Sequence, residues 1–232
     1  MKRVLITGAG SYIGMHIAQK LAGAYDVREL DVQNPFSSAD FAGYDAVVHV
    51  AGIAHQKETA ENAHLYREVN CDLAVKIARM AKDAGVRQFV FFSSMSVYGM
   101  VTGRITADTQ PNPHTHYGVS KWEAEQAMAE LADDTFDDFR IATLRPPMIY
   151  GRGCRGNYPR LSALARSLPV FPNVNNERSM LYIGTLCVFV QSLLESGQGG
   201  LYFPQNRAYV NTSHLVQQVA RCHGKGIALV PG

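Results

Sequence analysis

Along the first 150 residues, short apolar runs alternate with longer stretches whose apolar positions recur every three or four residues. The runs fall at 2–7, 27–30, 46–50, 88–92 and 140–144, and each predicts a strand. Between them, helical spacing covers 12–21, 66–82 and about 117–131, the second closing at Asp83-Ala84-Gly85. The run in DAVVHVAG is too apolar for a strand with one wet face, so the strands read as buried on both sides, as in a parallel sheet. Strands alternating with helices of this length imply right-handed crossovers and a doubly wound α/β fold.

Past Tyr150 the pattern loosens. Pro146-Pro147 halts the last strand, and Gly, Arg, Pro and Asn then surround short helices at 160–167 and 186–195. This predicts a nucleotide-binding domain over 1–150 and a smaller, irregular substrate lobe over 151–232 that covers the carboxyl edge of the sheet, part of it returning to the sheet. The ending Leu229-Val230-Pro231-Gly232 reads as the middle of a fold, as in a truncated lobe.

Composition narrows the function. With 22 Lys and Arg against 20 Asp and Glu, no strong field gathers nucleic acid or an anionic membrane, so any anion must be held by local groups. Cys71, Cys154, Cys187 and Cys222 are widely spaced with no CxxC pair, which fits free thiols in a reducing cytosol. His49, His55, His114 and His116 come without metal-ligand spacing, so no metal is assigned. No stretch approaches the roughly 18 to 20 apolar residues of a membrane span, and a cytoplasmic protein is expected.

Candidate chemistry begins at Thr7-Gly8-Ala9-Gly10-Ser11-Tyr12-Ile13-Gly14, which follows a strand and opens a helix. Glycines allow a tight turn and close approach to a pyrophosphate, whose charge rests on free N–H groups and the helix dipole. Asp31, 23 residues after Gly8 at a strand end, is placed to accept hydrogen bonds from an adenosine ribose. A carboxylate there repels a 2′-phosphate and favours NAD over NADP, with NADP left open.

Tyr117 and Lys121 lie four apart at the start of a helix and share a face. A free tyrosine titrates near 10. An ammonium and an oxidised nicotinamide beside it favour the phenolate and lower that value, giving an acid/base for hydroxyl oxidation or carbonyl reduction. About 23 residues earlier, the strand at 88–92 runs into Ser93-Ser94-Met95-Ser96, where Ser94 is positioned to bond the reacting oxygen.

In order, TGAGSYIG, DAVVHVAG, FFSSMSVYG, Tyr117-Gly-Val-Ser-Lys121 and LRPPMIYG resemble the extended short-chain dehydrogenase/reductases, the sugar-nucleotide epimerase/dehydratase family, over nearly the whole chain. The resemblance implies a Rossmann-like fold with Ser94, Tyr117 and Lys121 as the catalytic trio. It implies that Lys121 also bonds the nicotinamide ribose, and that Gly8, Ile13, Asp31, Ala51 and Gly52 contact the cofactor. Asn70, at the start of the long helix, matches a family asparagine near cofactor and substrate. The family often forms homodimers through two long helices, here about 70–83 and 117–131.

Departures refine this picture. The family's T-G-x-x-G-x-x-G here has Ser11 for its middle glycine, and Gly10 one place earlier. The stretch from Asp31 to the strand at 46–50 is one strand and helix short of the family norm, which predicts six strands. The Thr-Asp-Glu triplet of the 4,6-dehydratases is replaced by Ser94-Met95-Ser96, which disfavours dehydration. Met148 stands where many members place an asparagine on the nucleotide diphosphate, and Arg155, Asn157, Arg160 and Arg178 are candidate anion ligands. Together with Ser94, Met95 and Ser96, these make up the substrate-binding set. The expectation is a 4-epimerase or 4-ketoreductase acting on a nucleoside-diphosphate sugar for surface polysaccharide. A non-catalytic dinucleotide sensor on the same fold is the alternative.

Overall fold

The computed structural model describes residues 1–54, 56–132 and 138–231. The chain opens with β1 (Arg3–Thr7), α1 (Tyr12–Leu21), β2 (Asp26–Leu30) and β3 (Ala46–His49). Two helices, α2 (Ala63–Arg67) and α3 (Leu73–Asp83), then flank a π-helical turn at Glu68–Asp72, followed by β4 (Gln88–Phe92), α4 (His116–Ala132) and β5 (Arg140–Leu144). The remainder comprises β6 (Met148–Tyr150), α5 (Asn157–Ser167), β7 (Val170–Asn173), β8 (Met180–Tyr182), α6 (Ile183–Ser196), β9 (Gly200–Tyr202), α7 (Thr212–Cys222) and β10 (Ala228–Pro231). Among the described residues, no helix is long and apolar enough to cross a membrane.

The chain divides into two compact units. One comprises Met1–Pro146 with Cys187–Pro204, and the other Pro147–Leu186 with Gln205–Gly232. In the first, six strands form one parallel sheet in the order β2-β1-β3-β4-β5-β9, a Rossmann-like arrangement with the six strands expected. The chain leaves β1 for β2 on one side and returns to β3 on the other. A crevice therefore opens at the carboxyl ends of β1 and β3, where ligands enter such sheets. Every residue of β3 and β4 is buried, as their unbroken apolar runs require. Leu5, Val47, Phe89 and Phe91 of the sheet share a core with Ile77 and Ala78 of α3 and with Ala124 and Met128 of α4.

The segment Cys187–Pro204 belongs to the sheet unit for a polar reason as well as through the β5–β9 pairing. Buried Gln88 donates to Leu193 O at 3.0 Å and Gln198 O at 2.9 Å, and Lys2 Nζ donates to Leu194 O at 2.9 Å. The end of α6 is thereby tied to the sheet, and its Leu194 carbonyl gains a cation that suits the helix dipole. In the second unit, α5 packs on α7 around Ala165, Val216, Ala220 and Ile227. Two short parallel pairs, β6–β8 and β7–β10, complete it.

The single helix expected over 66–82 is corrected to α2, the π turn and α3. Asn70 lies within that turn rather than at a helix start. The apolar period runs through the interruption, because Tyr66, Cys71, Ala74, Ile77 and Ala78 are all buried. What the period cannot show is the extra residue that turns the Asn70 amide inward. There it accepts from Ile53 N at 2.9 Å and donates to Ile53 O at 3.0 Å and Ser120 Oγ at 3.2 Å. These bonds offset the disturbed helical ladder.

His49 is wholly buried, with its ring stacked on Phe89 and Phe91 and Nδ1 at 2.7 Å from Thr7 Oγ1. Burial, with the Lys121 charge adding to it, drives its pKa down to about 3. A base whose folded pKa lies below its unfolded value near 6.5 contributes stability that is fully present above about 6.5 and is lost as pH falls towards 3. In urea unfolding across that window, the wild type is expected to lose about 1.4 kcal/mol per pH unit more than His49→Gln. Parallel pH profiles for the two proteins would contradict this.

Candidate active site

Three chain segments meet at the carboxyl ends of β1, β3 and β4. Gly8 leaves β1 at φ +107°, and a Cβ there would lie 2.8 Å from Ala51 N, so this turn approaches the β3 exit as only glycine allows. Ser11 caps α1, its hydroxyl accepting from Gly14 N at 3.1 Å, and α1 has no acidic residue in its first turn. The serine in place of the family glycine thus keeps a built role. Tyr12 and Ile13 follow it in that turn and are half-buried.

The same segment fits a dinucleotide phosphate. A Cβ on Gly10 would meet no heavy atom within 4 Å, leaving open space above the backbone. Gly10 N donates to a carboxylate oxygen of Glu29 at 3.4 Å, so this amide already faces an anion. Asp31 follows β2 directly, is exposed, and accepts from Gln33 N at 3.0 Å and Asn34 Nδ2 at 2.9 Å. These residues suit the adenosine half of NAD.

The Ala51-Gly52 turn adjoins Asn70 and Lys121. A Cβ on Gly52 would lie 2.8 Å from Asn70 Oδ1 and 3.4 Å from Lys121 Nζ. Buried Lys121 donates to Phe92 O at 2.9 Å and stands 4.9 Å above the Phe91 ring. Burial lowers its pKa to about 8, against an opposing pull from the Glu125 carboxylate.

Tyr117 and Lys121 leave one face of α4. At the amino end of this helix, Glu58 accepts His116 N at 2.8 Å and Tyr117 N at 3.1 Å, while Thr115 Oγ1 accepts Gly118 N at 3.0 Å. Gly118 lets α4 press on the turn after β4, since a Cβ there would fall 2.6 Å from Ser96 O. Ser94 caps that turn, accepting Ser96 N at 3.1 Å and donating to Ser96 Oγ at 3.1 Å. The lowered tyrosine pKa expected from the sequence is corrected for the protein by itself. Burial raises it, the nearby Ser94 side chain pulls it back, and Tyr66 raises it further. The Lys121 ammonium instead points to the Phe92 carbonyl.

The remaining candidates are dispersed along the chain. Met95 is half-buried and Ser96 exposed beside Ser94. In the second unit, Met148 is half-buried on β6, and Asn157 and Arg160 are exposed at the start of α5, just after exposed Arg155. Exposed Arg178 pairs its backbone with Val210, N to O in both directions at 2.9 Å. His55 lies outside the described residues.

Two features escaped sequence reasoning. Glu58 reaches α4 from a loop 58 residues away, which no local pattern signals. A buried group of Glu125, Arg145, Ser93 and Tyr98 lies beneath the site, and the sequence carries its signal: Glu125 continues the Tyr117, Lys121 spacing by one more turn.

Comparison with known proteins agrees with this geometry. The model of the NAD dependent epimerase/dehydratase family matches residues 4–202. The UDP-glucose 4-epimerase of Vibrio cholerae is 28% identical over 94% of this chain and 75% of its own length. The UDP-glucuronic acid 4-epimerase from Bacillus cereus, solved in complex with NAD, superposes with TM-score 0.84 at 21% identity, over 99% of this chain and 86% of that one. The dTDP-4-dehydrorhamnose reductase of Bacillus anthracis, solved with NADP, gives TM-score 0.81 at 20% identity, over 100% and 84%.

The crowding at Gly52 is directly testable. Gly52→Ala must displace Asn70 or Lys121 and is expected to cost roughly 1–3 kcal/mol in urea unfolding. Gly10→Ala, strained at φ +71° but open, is expected to cost roughly 1–2 kcal/mol. The first variant should also move the Lys121 titration while the second leaves it in place, and a Gly52→Ala protein identical to wild type in both respects would refute the packing.

Proposed function

The chain belongs to the NAD-dependent epimerase/dehydratase family, and from that premise we propose that it is a 4-epimerase or 4-ketoreductase of a nucleoside-diphosphate sugar. Its acid/base is Tyr117, assisted by Lys121 and Ser94. The observation that carries this reading is the burial of Lys121 on the helix face that bears Tyr117, with its ammonium on the Phe92 carbonyl two residues before Ser94.

NAD is the cofactor in this reading, held by Gly8, Gly10, Ser11, Tyr12, Ile13 and Gly14 at its phosphates, by Asp31 at the adenosine ribose, and by Ala51, Gly52, Asn70, Tyr117 and Lys121 towards the nicotinamide. When bound, it supplies an acceptor or donor of hydride at the sugar carbon. The work of the protein is then the proton. Tyr117 as phenolate takes the proton of the sugar hydroxyl as the carbinol carbon becomes a carbonyl, and as phenol it returns that proton to the oxygen in reduction. Ser94 orients the reacting oxygen. Because burial opposes the phenolate, the anion depends on the Ser94 side chain and on positive charge brought near it. No carboxylate stands at Met95 or Ser96 to drive elimination, which favours epimerisation or reduction over dehydration.

Met95, Ser96, Met148, Asn157, Arg160 and Arg178 are assigned to the substrate, with the arginines suited to its diphosphate. A role in surface polysaccharide synthesis within the cytoplasm completes the reading. The chain pairs as a homodimer through α3 and α4, between which a groove of about 730 Å³ is lined by residues including Val75, Met80 and Ala127.

Tyr117→Phe is expected to lower turnover of UDP-, GDP- or dTDP-sugars by roughly 10²- to 10⁴-fold with NAD affinity unchanged. Absorbance at 340 nm separates the two activities, since net NAD(P)H consumption marks a reductase and sugar interconversion without it marks an epimerase. Undiminished turnover by Tyr117→Phe would remove the assignment.

A further inference from the structure

Glu125 has no part in the chemistry above, yet it is buried one helical turn beyond Lys121 on the face of α4 that bears Tyr117. Its carboxylate accepts Arg145 Nε at 3.0 Å and 3.1 Å through its two oxygens, Arg145 Nη2, and the Ser93 hydroxyl. Arg145 is buried as well, and its Nη1 donates to the Tyr98 phenol at 2.6 Å, with the Tyr98 and Trp122 rings 5.0 Å and 5.5 Å from the guanidinium carbon. Two turns of α4 thus hold two consecutive residues at the end of β4, just before Ser94. Lys121 holds the Phe92 carbonyl and Glu125 the Ser93 hydroxyl.

A buried ion pair is an expensive way to hold a helix on a sheet, since apolar residues of similar volume do so at no desolvation cost. Its use is explained by what else Glu125 faces. We propose that Glu125, clamped by Arg145, is a positioning residue that keeps Lys121 charged and fixes the strand end from which Ser94 reaches Tyr117. The inference rests on the reading that Tyr117 and Lys121 carry out the proton chemistry.

The groups facing Lys121 support it. They are Cys71 from the π turn, His49 from β3, the Phe91 ring from β4, and Glu125 from its own helix. Burial pushes the Cys71 thiol up to about 11 and His49 down to about 3, so both are neutral near pH 7. Of these groups, Glu125 alone brings a full negative charge to oppose the desolvation of the ammonium.

The experiment follows the side-chain nitrogen of Lys121 in the full chain by ¹⁵N NMR against pH, assigned with Lys121→Met, alongside the pH profile of kcat. Glu125→Gln should titrate Lys121 well below the wild-type value, by roughly one unit or more, and carry the alkaline limb of kcat down with it while KM stays near wild type. Loosened packing alone would hydrate the ammonium and move the titration upward, so the direction separates the two explanations. Should Glu125→Gln fail to fold with Arg145 unpaired, Glu125→Gln/Arg145→Gln removes both charges together and should shift the titration downward by less, because loss of the guanidinium charge offsets part of the loss of the carboxylate. Glu125→Asp, which keeps the charge, should largely restore the wild-type titration. A folded Glu125→Gln or double variant in which Lys121 titrates as in wild type, or higher, overturns the proposal. Because this readout needs no turnover, failure of the Tyr117 assignment would register separately, as activity retained by Tyr117→Phe.

Discussion

A parallel sheet buried on both faces presents its polar backbone to a ligand only at strand ends, and here the order of six strands decides which end matters. The chain departs from β1 towards β2 on one side and comes back as β3 on the other, so the two turns that follow β1 and β3 are forced together. Gly8 is tight against Ala51 because no side chain fits between these turns, and Gly52 is tight against Asn70 and Lys121 for the same reason. The glycine turn, the β3 exit and the lysine form one contiguous wall of a crevice that topology alone would have opened.

The other wall is α4. Its docking on the end of β4 is polar at each step, which is unusual for a helix whose neighbours are as apolar as Phe89, Phe91 and Met128. Hydrophobic packing fixes how deep a helix lies but only loosely where it stops along its axis. Hydrogen bonds to single atoms, such as Lys121 to Phe92 O and Glu125 to Ser93, resolve that ambiguity to a fraction of an ångström. The carbon-rich core supplies the adhesion, and the buried ions supply the index.

The sequence disclosed the strands well because buried parallel strands are continuous apolar runs, and the helix from Tyr12 to Leu21 emerged with its bounds intact. The glycine turn was legible because strand, glycines and helix occur in immediate succession. Asn70 was visible as a residue but not as a geometry. A π turn inserts a position without disturbing the apolar rhythm on either side, and its bonds to Ile53 and Ser120 are long-range. Tyr117 was read with its lysine as the dominant influence, whereas in the folded chain desolvation outweighs charge, a balance that depends on enclosure and so lies beyond any linear pattern. Glu125 and Arg145 are not legible in the sequence as a buried pair, because charged residues on a helix and at a strand end ordinarily face water.

The carboxylate of Glu58 has a consequence for where a dinucleotide must sit. Helix amino ends are the natural resting places of phosphate, and both α1 and α4 begin close to the ends of central strands. At α4 the first two amides are already taken by a negative side chain, while the first turn of α1 carries a hydroxyl cap and no acid, and the Glu29 carboxylate holds only Gly10 N ahead of it, at 3.4 Å. On the function proposed above, a pyrophosphate is therefore turned away from the helix that carries the tyrosine and has the amides of the α1 first turn open to it. Orientation along the crevice is thus decided partly by exclusion, before any ring or ribose has made contact.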